Sequence, residues 1–281
     1  MDIEALPSVS AMDAEHLPRH RWYFFKEAFS PAIVNHAIQD ADLQPGSLVF
    51  DPFSGSGTTP LAAALAGMRG AGTEVNPFLR FVAETKIKVT TLKRFDSALK
   101  LAIHGAMAGA ESPLTDFSTF SEHAPKAKKR GKWLFNSEVL RAFEGGQRRI
   151  SQTTGHEFVL VRLCLIGAAL DAANASKDGK CLRYKKGWSD LRLGRRDFIE
   201  ALHSRADAMR EDLEQTAGAP IDAQVTLGDS RTMRAPSEFD LCVTSPPYLN
   251  SFDYTDIYRP ELFLGGFVKR NLSTTLRHLP A

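Results

Sequence analysis

The chain has 281 residues, 43% apolar and 24% charged, enough to bury a large core, which excludes a disordered segment or a small disulfide-stapled scaffold. Its formal net charge is only +2, yet residues 126–210 hold 19 Lys and Arg against 9 Asp and Glu while both flanks are acidic, the pattern of a polyanion-binding segment or of a well-solvated helical surface. No apolar run approaches the roughly 18 residues of a membrane span and the acidic start lacks a signal-peptide profile, so a cytoplasmic protein that does not enter membranes is expected.

The aromatic cluster Trp22, Tyr23, Phe24 and Phe25 precedes Phe29-Ser30-Pro31, which opens a helix pattern carried by Ile33, Val34 and Ile38. After the Pro45-Gly46 turn, residues 47–51 read as a short apolar strand, followed by a Gly-rich loop, a helix at 60–66 and a second buried strand at 70–74. Helical periodicity then recurs at 77–85, 94–109, 137–151, 157–173 and 195–216 without a convincing strand, which predicts a helical insertion. Inside it the charge run at 126–132 is expected to form a loop, and residues 177–188 read as a Gly-punctuated, hairpin-like segment. Strand patterns resume at 223–227 and 239–244, each ending in a polar turn. Cys164, Cys181 and Cys242 stand apart in the sequence and suggest neither a disulfide framework nor a zinc site.

The loop at 51–59, DPFSGSGTT, lies where a strand hands over to its helix, the place where open α/β sheets bind nucleotides. Gly55 and Gly57 permit close backbone approach, and the helix start offers free N–H groups to an anion. No lysine follows the glycines at the required place, which excludes a phosphate-binding P-loop. Alone, such a loop equally suits a plain tight turn. Glu74, ending the next strand, adds a carboxylate able to accept both protons of a ribose diol.

The loop at 51–59 taken together with Thr244-Ser-Pro-Pro-Tyr248 resembles the S-adenosylmethionine-dependent amino-methyltransferases of DNA. That resemblance implies an α/β fold, a Rossmann-like class I methyltransferase sheet with a largely helical insertion. Residues 1–90 would form the N-terminal element and cofactor-binding half, 91–220 the basic insertion facing DNA, and 221–281 the catalytic half. It implies S-adenosyl-L-methionine as cofactor, held by Phe29, Ser30, Pro31, Asp51, Phe53, Gly55, Gly57, Thr58, Thr59, Glu74, Asn76 and Asp229, with Glu74 on the ribose and Asp229 on the adenine amino group. Phe53 read as core, and Asn76 and Asp229 read as caps, are the alternatives. Ser245, Pro246, Pro247 and Tyr248 would be catalytic. A serine before Pro-Pro-Tyr is commoner among the cytosine-N4 members than the adenine-N6 members, so cytosine N4 is preferred.

An exocyclic amino group is conjugated with its ring and becomes nucleophilic only when acceptors draw on its protons, which the Ser245 hydroxyl and Pro246 carbonyl can do. Consecutive prolines stiffen the loop, and Tyr248 offers a ring for stacking a base flipped out of the duplex. None of the cysteines follows a proline in a comparable loop, which argues against carbon-5 cytosine methylation.

In the basic insertion Lys180, Arg183, Lys185 and Lys186 alternate with Tyr184 and Trp188, a pattern suited to phosphates and bases and equally to a structural hairpin with a basic outer face. Double-stranded DNA is the expected partner, and a restriction endonuclease of the same system a further one; oligomeric state is open. An RNA amino-methyltransferase shares both motif types, but no RNA-binding module is legible at either end. Four strands are found where the resembling family has about seven, and residues 269–281 are polar, so a C-terminally truncated product is expected, with a cofactor-binding or inactive fragment as the competing reading and an exposed edge at the last strand.

Overall fold

The computed structural model describes residues 8–115, 120–123, 131–178, 181–233, 236, 238–246 and 258–267. Pro247, Tyr248, Lys180, most of the charge run at 126–132 and the segment 269–281 lie outside the described residues. The chain divides into two compact units, the first within Met1–Val89 and Gln215–Ser251, the second within Thr90–Glu214 and Phe252–Arg277.

Two short 3-10 turns, Ala11–Glu15 and His20–Trp22, precede α1 (Pro31–Asp40), β1 (Leu48–Asp51), α2 (Thr58–Leu65), β2 (Arg69–Glu74) and α3 (Pro77–Ile87). The chain continues with α4 (Leu92–Ala108), α5 (Ser137–Ser151), α6 (His156–Asp171), β3 (Ala175–Asp178), β4 (Cys181–Tyr184), α7 (Trp188–Leu191) and α8 (Arg195–Gln215). It returns to the first unit with β5 (Ala223–Leu227) and β6 (Leu241–Cys242), and α9 (Arg259–Leu264) belongs to the second.

The first unit is built on a parallel sheet in the order β5-β2-β1-β6, with Val49 opposite Gly70 on one side and opposite Leu241 on the other. This is the Rossmann-like arrangement the sequence predicts, and all four strand patterns are found in it. Val49 and Phe50 are both buried, as in a strand covered on both faces. Val34 and Ile38 of α1, Ala62 and Ala63 of α2, Val49, Met68 and Val243 form one continuous core. The glycine near the start of β2 has a packing reason: a Cβ on Gly70 would lie 2.2 Å from the Pro60 carbonyl oxygen, so α2 rests directly on the strand. Helix starts follow local chemistry. Ser30 accepts the Ala32 N–H at 3.0 Å and Asn76 the Phe78 N–H at 2.9 Å, each followed by proline at the first helical position.

In the second unit α6 is apolar all round and buried from Leu160 to Ala169 except at Arg162, which makes it a core helix rather than an amphipathic one. Phe95, Leu99 and Ala102 of α4, Leu140 and Phe143 of α5, and Leu202 and Met209 of α8 are likewise buried, and Met209 meets Cys164 of α6 at 3.3 Å between sulfurs. The insertion is not wholly helical. β3 and β4 pair antiparallel with Ala175 opposite Tyr184, so the strand that periodicity did not reveal at 77–217 exists within and just ahead of the hairpin-like segment. ASKD and CLRY are too short and too polar to show a two-residue period.

Candidate functional site

The order β5-β2-β1-β6 reverses direction at β1: the chain passes from β1 outward to β2 on one side, and returns to place β6 on the other. The carboxyl ends of β1 and β6 therefore mark the topological switch point, where α/β sheets bind ligands. The two loops singled out in the sequence leave β1 and β6 at this point. They are joined there by side chains, since Thr244 Oγ1 donates to Asp51 Oδ1 at 2.7 Å and Thr59 Oγ1 donates to the Val243 carbonyl at 3.1 Å. Asp51 also accepts the Phe53 N–H at 2.9 Å, and burial, the dominant influence on its carboxyl, raises its pKa. Ser245 is half-buried and Pro246 exposed.

Glu74, at the end of β2, is buried and faces the loop after β1. One carboxylate oxygen accepts the Gly55 N–H at 2.8 Å and the other the Asn76 N–H at 2.7 Å. Burial raises its pKa to about 7 in spite of those bonds, with nearby Asp51 adding to the rise. Each oxygen keeps a second lone pair, so the group can still accept two hydroxyl protons. Gly57 has φ +86°, and a Cβ there would fall 2.7 Å from that of Ala83, so the turn into α2 admits only glycine without displacement. Thr58 and Thr59 are buried in the first turn of α2.

The remaining expected cofactor residues divide. Asn76 caps α3 through its carbonyl oxygen, but its buried Nδ2 has no partner among the described residues. Phe53 is 39% exposed beside the loop and is not a core residue. Asp229 follows β5 in a turn where it accepts the Arg231 N–H and is clasped by the Arg231 guanidinium, with Nη2 to Oδ2 at 2.8 Å. Nothing in the sequence signals Arg231. Ser230 donates to the Pro52 carbonyl, which ties that turn to the loop after β1. Ser30 serves the fold locally: besides capping α1 it donates to Asp13, and Phe29 bridges Ser10 in an antiparallel pair.

In the second unit the hairpin places Arg183 and Lys186 on the surface, while Lys185 donates from Nζ to the Asp171 carbonyl at 2.8 Å and is partly buried. Tyr184 and Trp188 do stand together, with ring centroids 5.2 Å apart, and Trp133 joins them edge-to-face at 4.9 Å from Trp188. Lys132 lies 5.6 Å from the Tyr184 ring centre. Trp133 is oriented by its indole N–H on Asn136 at 2.7 Å, a contact the sequence reading missed because Trp133 lies more than fifty residues from Trp188. Among the described residues no cluster of His, Cys, Asp or Glu could hold a metal ion, and no helix is long and apolar enough to cross a membrane.

Residues 12–84 match the N6/N4 methyltransferase family, described as DNA methylase. The chain is similar to the type II methyltransferase M.BsoBI of Geobacillus stearothermophilus, 25% identical over 276 residues that cover 88% of this chain and 52% of that protein. It is also similar to M.AvaI of Nostoc sp., 25% identical over 91% of this chain and 55% of the relative, and to M.MvaI of Kocuria varians, 23% identical over 83% and 53%. The chain thus spans about half the length of these relatives. No solved structure gives a significant match.

Proposed function

We propose that the chain is a DNA amino-methyltransferase that serves S-adenosylmethionine-dependent methylation of an exocyclic amino nitrogen in DNA, cytosine N4 in preference to adenine N6, a reading supported by the family match over residues 12–84 and by the type II relatives. The observation that carries the proposal is the joining of the two motif loops at the switch point, Thr244 on Asp51 and Thr59 on Val243. These bonds join the starts of the two motif loops, which supports a shared site for cofactor and target base. The type II relatives support a role as the modification member of a restriction system, with an endonuclease as functional partner.

The residues present fit the cofactor. Glu74 has two lone pairs left for the ribose hydroxyls, the orphan Nδ2 of Asn76 is a buried donor beside it, and Phe53 offers a partly exposed ring at the loop. Asp229 would take the adenine amino group, sharing its carboxylate with Arg231. When bound, S-adenosylmethionine supplies an electrophilic methyl group on a sulfonium centre. The work of the protein is then positioning. The Ser245 hydroxyl and the Pro246 carbonyl accept the two amino protons of the target base, which turns the nitrogen lone pair toward the methyl group. Pro247 keeps the loop stiff and Tyr248 stacks on the flipped base. Ser245 accepts from the amino group and donates to a ring nitrogen in either base, so the choice of cytosine rests on pocket size around Tyr248.

Contact with the duplex is assigned to the basic hairpin, with Lys180, Arg183 and Lys186 on phosphates and Tyr184 and Trp188 beside them. Lys185, engaged with Asp171, adds charge rather than a free ammonium. The test is transfer of labelled methyl groups from S-adenosylmethionine to duplex DNA by the purified chain, followed by digestion and mass spectrometry of the nucleosides. N4-methylcytosine is expected. N6-methyladenine alone would overturn the base assignment, 5-methylcytosine the mechanism, and S-adenosylhomocysteine binding without transfer would make the chain a cofactor-binding part of a larger enzyme.

A further inference from the structure

The aromatic cluster at 22–25 has no role in the reading so far, yet an unusual set of buried cations fastens it in place. Arg19 is 1% exposed, with a backbone φ of +64°. Its Nη1 donates to the Lys86 and Lys88 carbonyls, at 2.9 Å each, and its Nε to Thr216 Oγ1 at 2.8 Å, so the guanidinium caps the end of α3. The Lys86 side chain is itself wholly buried, and its Nζ donates to the Tyr23 carbonyl at 3.1 Å. Burial alone pushes this ammonium down to about 7, and the neighbouring buried His20 is held neutral, down to about 3, by burial and then by Lys86. Taking an ammonium out of water for one carbonyl acceptor is costly, and methionine would fill the same space without that cost.

The carbonyl that Lys86 holds belongs to the segment that touches the candidate site. The Tyr23 ring packs edge-to-face on Phe78, the second residue of α3, with centroids 5.1 Å apart. Two residues further on, the Phe25 ring lies 3.1 Å from the point where a Cβ on Gly55 would sit. Gly55 has φ +52°, and its N–H is the donor to Glu74.

We propose that Lys86 is a positioning residue for the cofactor loop: by holding the Tyr23 carbonyl it seats the Phe25 ring on Gly55, and so keeps the Gly55 N–H on the Glu74 carboxylate. The assignment rests on the cofactor reading above. Of the charged groups beside the Lys86 ammonium, neither Arg19 nor His20 changes charge between pH 6 and 9, so at this end of the tether the group that titrates in that range is Lys86, and at the other end it is Glu74.

The experiment compares the wild-type chain with Lys86→Met and Phe25→Ala. Calorimetry with S-adenosylhomocysteine at pH 6.5 should show at least fivefold weaker binding for each variant, and the two changes combined should weaken it little more than either alone. Lys86→Met should at the same time unfold at a higher temperature, because a buried charge is gone; a merely structural role would move stability and affinity down together. The affinity ratio of wild type to Lys86→Met should shrink toward pH 9, as wild-type Lys86 loses its proton. Glu74 loses the Gly55 N–H in both variants, so Phe25→Ala, in which Lys86 is retained, isolates its contribution to the pH dependence of the ratio. Affinity within twofold of wild type in a folded Lys86→Met overturns the proposal, and should that variant fail to fold, unchanged affinity in Phe25→Ala does so. Hydrogen exchange at the Gly55 amide separates the two readings. Lost protection in the variants without any ligand supports the tether even if wild type does not bind S-adenosylhomocysteine, which would sink the cofactor reading instead, while unchanged protection refutes the tether.

Discussion

Replacing Glu74 by glutamine perturbs a carboxylate whose proton affinity burial has displaced far. Burial lifts its pKa from 4.5 to about 7, against the pull of the Gly55 and Asn76 amides. Between those two values the native protein holds a proton that the unfolded chain has released. The contribution of this group to stability is therefore fully present below pH 4.5 and is lost as pH rises through 7. At about 1.4 kcal/mol per pH unit, a shift of roughly two and a half units corresponds to a loss of about 3 kcal/mol. Glutamine stays neutral throughout, so the unfolding free energy of wild type minus that of Glu74→Gln should fall by about 3 kcal/mol from pH 4 to pH 8. Carboxylates remote from Glu74 are untouched by the change and cancel, while buried Asp51 loses a like-charged neighbour. Urea denaturation followed by circular dichroism at half-unit steps of pH measures the difference. Under the proposed function, S-adenosylhomocysteine affinity should also rise through pH 7 in wild type, as the carboxylate that accepts the ribose protons ionises, and should be lower and flat in the variant. A stability difference that does not change with pH would show that Glu74 is solvated, and would refute both parts of the reasoning.

Three further outcomes are expected. Gly57→Ala combines a φ of +86°, which costs a non-glycine residue about 1 kcal/mol or more, with a new Cβ 2.7 Å from that of Ala83, so thermal or urea unfolding should show a loss of about 2–4 kcal/mol, and an unchanged midpoint would mean the turn is free to rearrange. Thr244→Val removes the donor to Asp51 that joins the two loops; methyl transfer should drop by roughly tenfold to a hundredfold while S-adenosylhomocysteine binding stays within about twofold, and equal losses in both would place Thr244 in cofactor binding instead. Alanine at both Arg183 and Lys186 should flatten the dependence of log DNA affinity on log salt by about 2, as measured by fluorescence anisotropy between 50 and 200 mM salt, and a slope that does not move would reduce the hairpin to a solvated surface.

Much of the fold is legible in the sequence because much of it is local. The amphipathic helices of the long middle carry their own 3.6-residue period, and observed bounds such as Ser137–Ser151 and Arg195–Gln215 lie within a residue of the periodic stretches. The buried strands at 47–51 and 70–74 each hold three consecutive apolar or glycine residues ending on a carboxylate, and the caps at Ser30 and Asn76 are one-residue signals followed by proline. The loop at 51–59 could be found for the same reason, since its glycines, its position after a strand and the carboxylate of Glu74 are all readable within 24 residues. Where local signals are thin the sequence says less: β3 and β4 are too short and polar for a period, and Phe53 fits a core position as well as a partly exposed ring.

The tertiary structure decided what depends on distance along the chain. No local pattern says that β6 pairs with β1 rather than with β5, yet that choice creates the switch point and lets Thr244 reach Asp51 across 193 residues. The same holds for Arg19 and Lys86, which are ordinary surface residues by type and become a buried tether only because α3 ends against the segment 67 residues earlier. It holds for Trp133 beside Trp188, and for the pKa of Glu74, which no sequence window contains. Dihedral preference and hydrophobic period are properties of a few neighbouring residues and survive in the sequence. Burial, and with it the charge state of a buried group, is set by whatever the rest of the chain brings alongside.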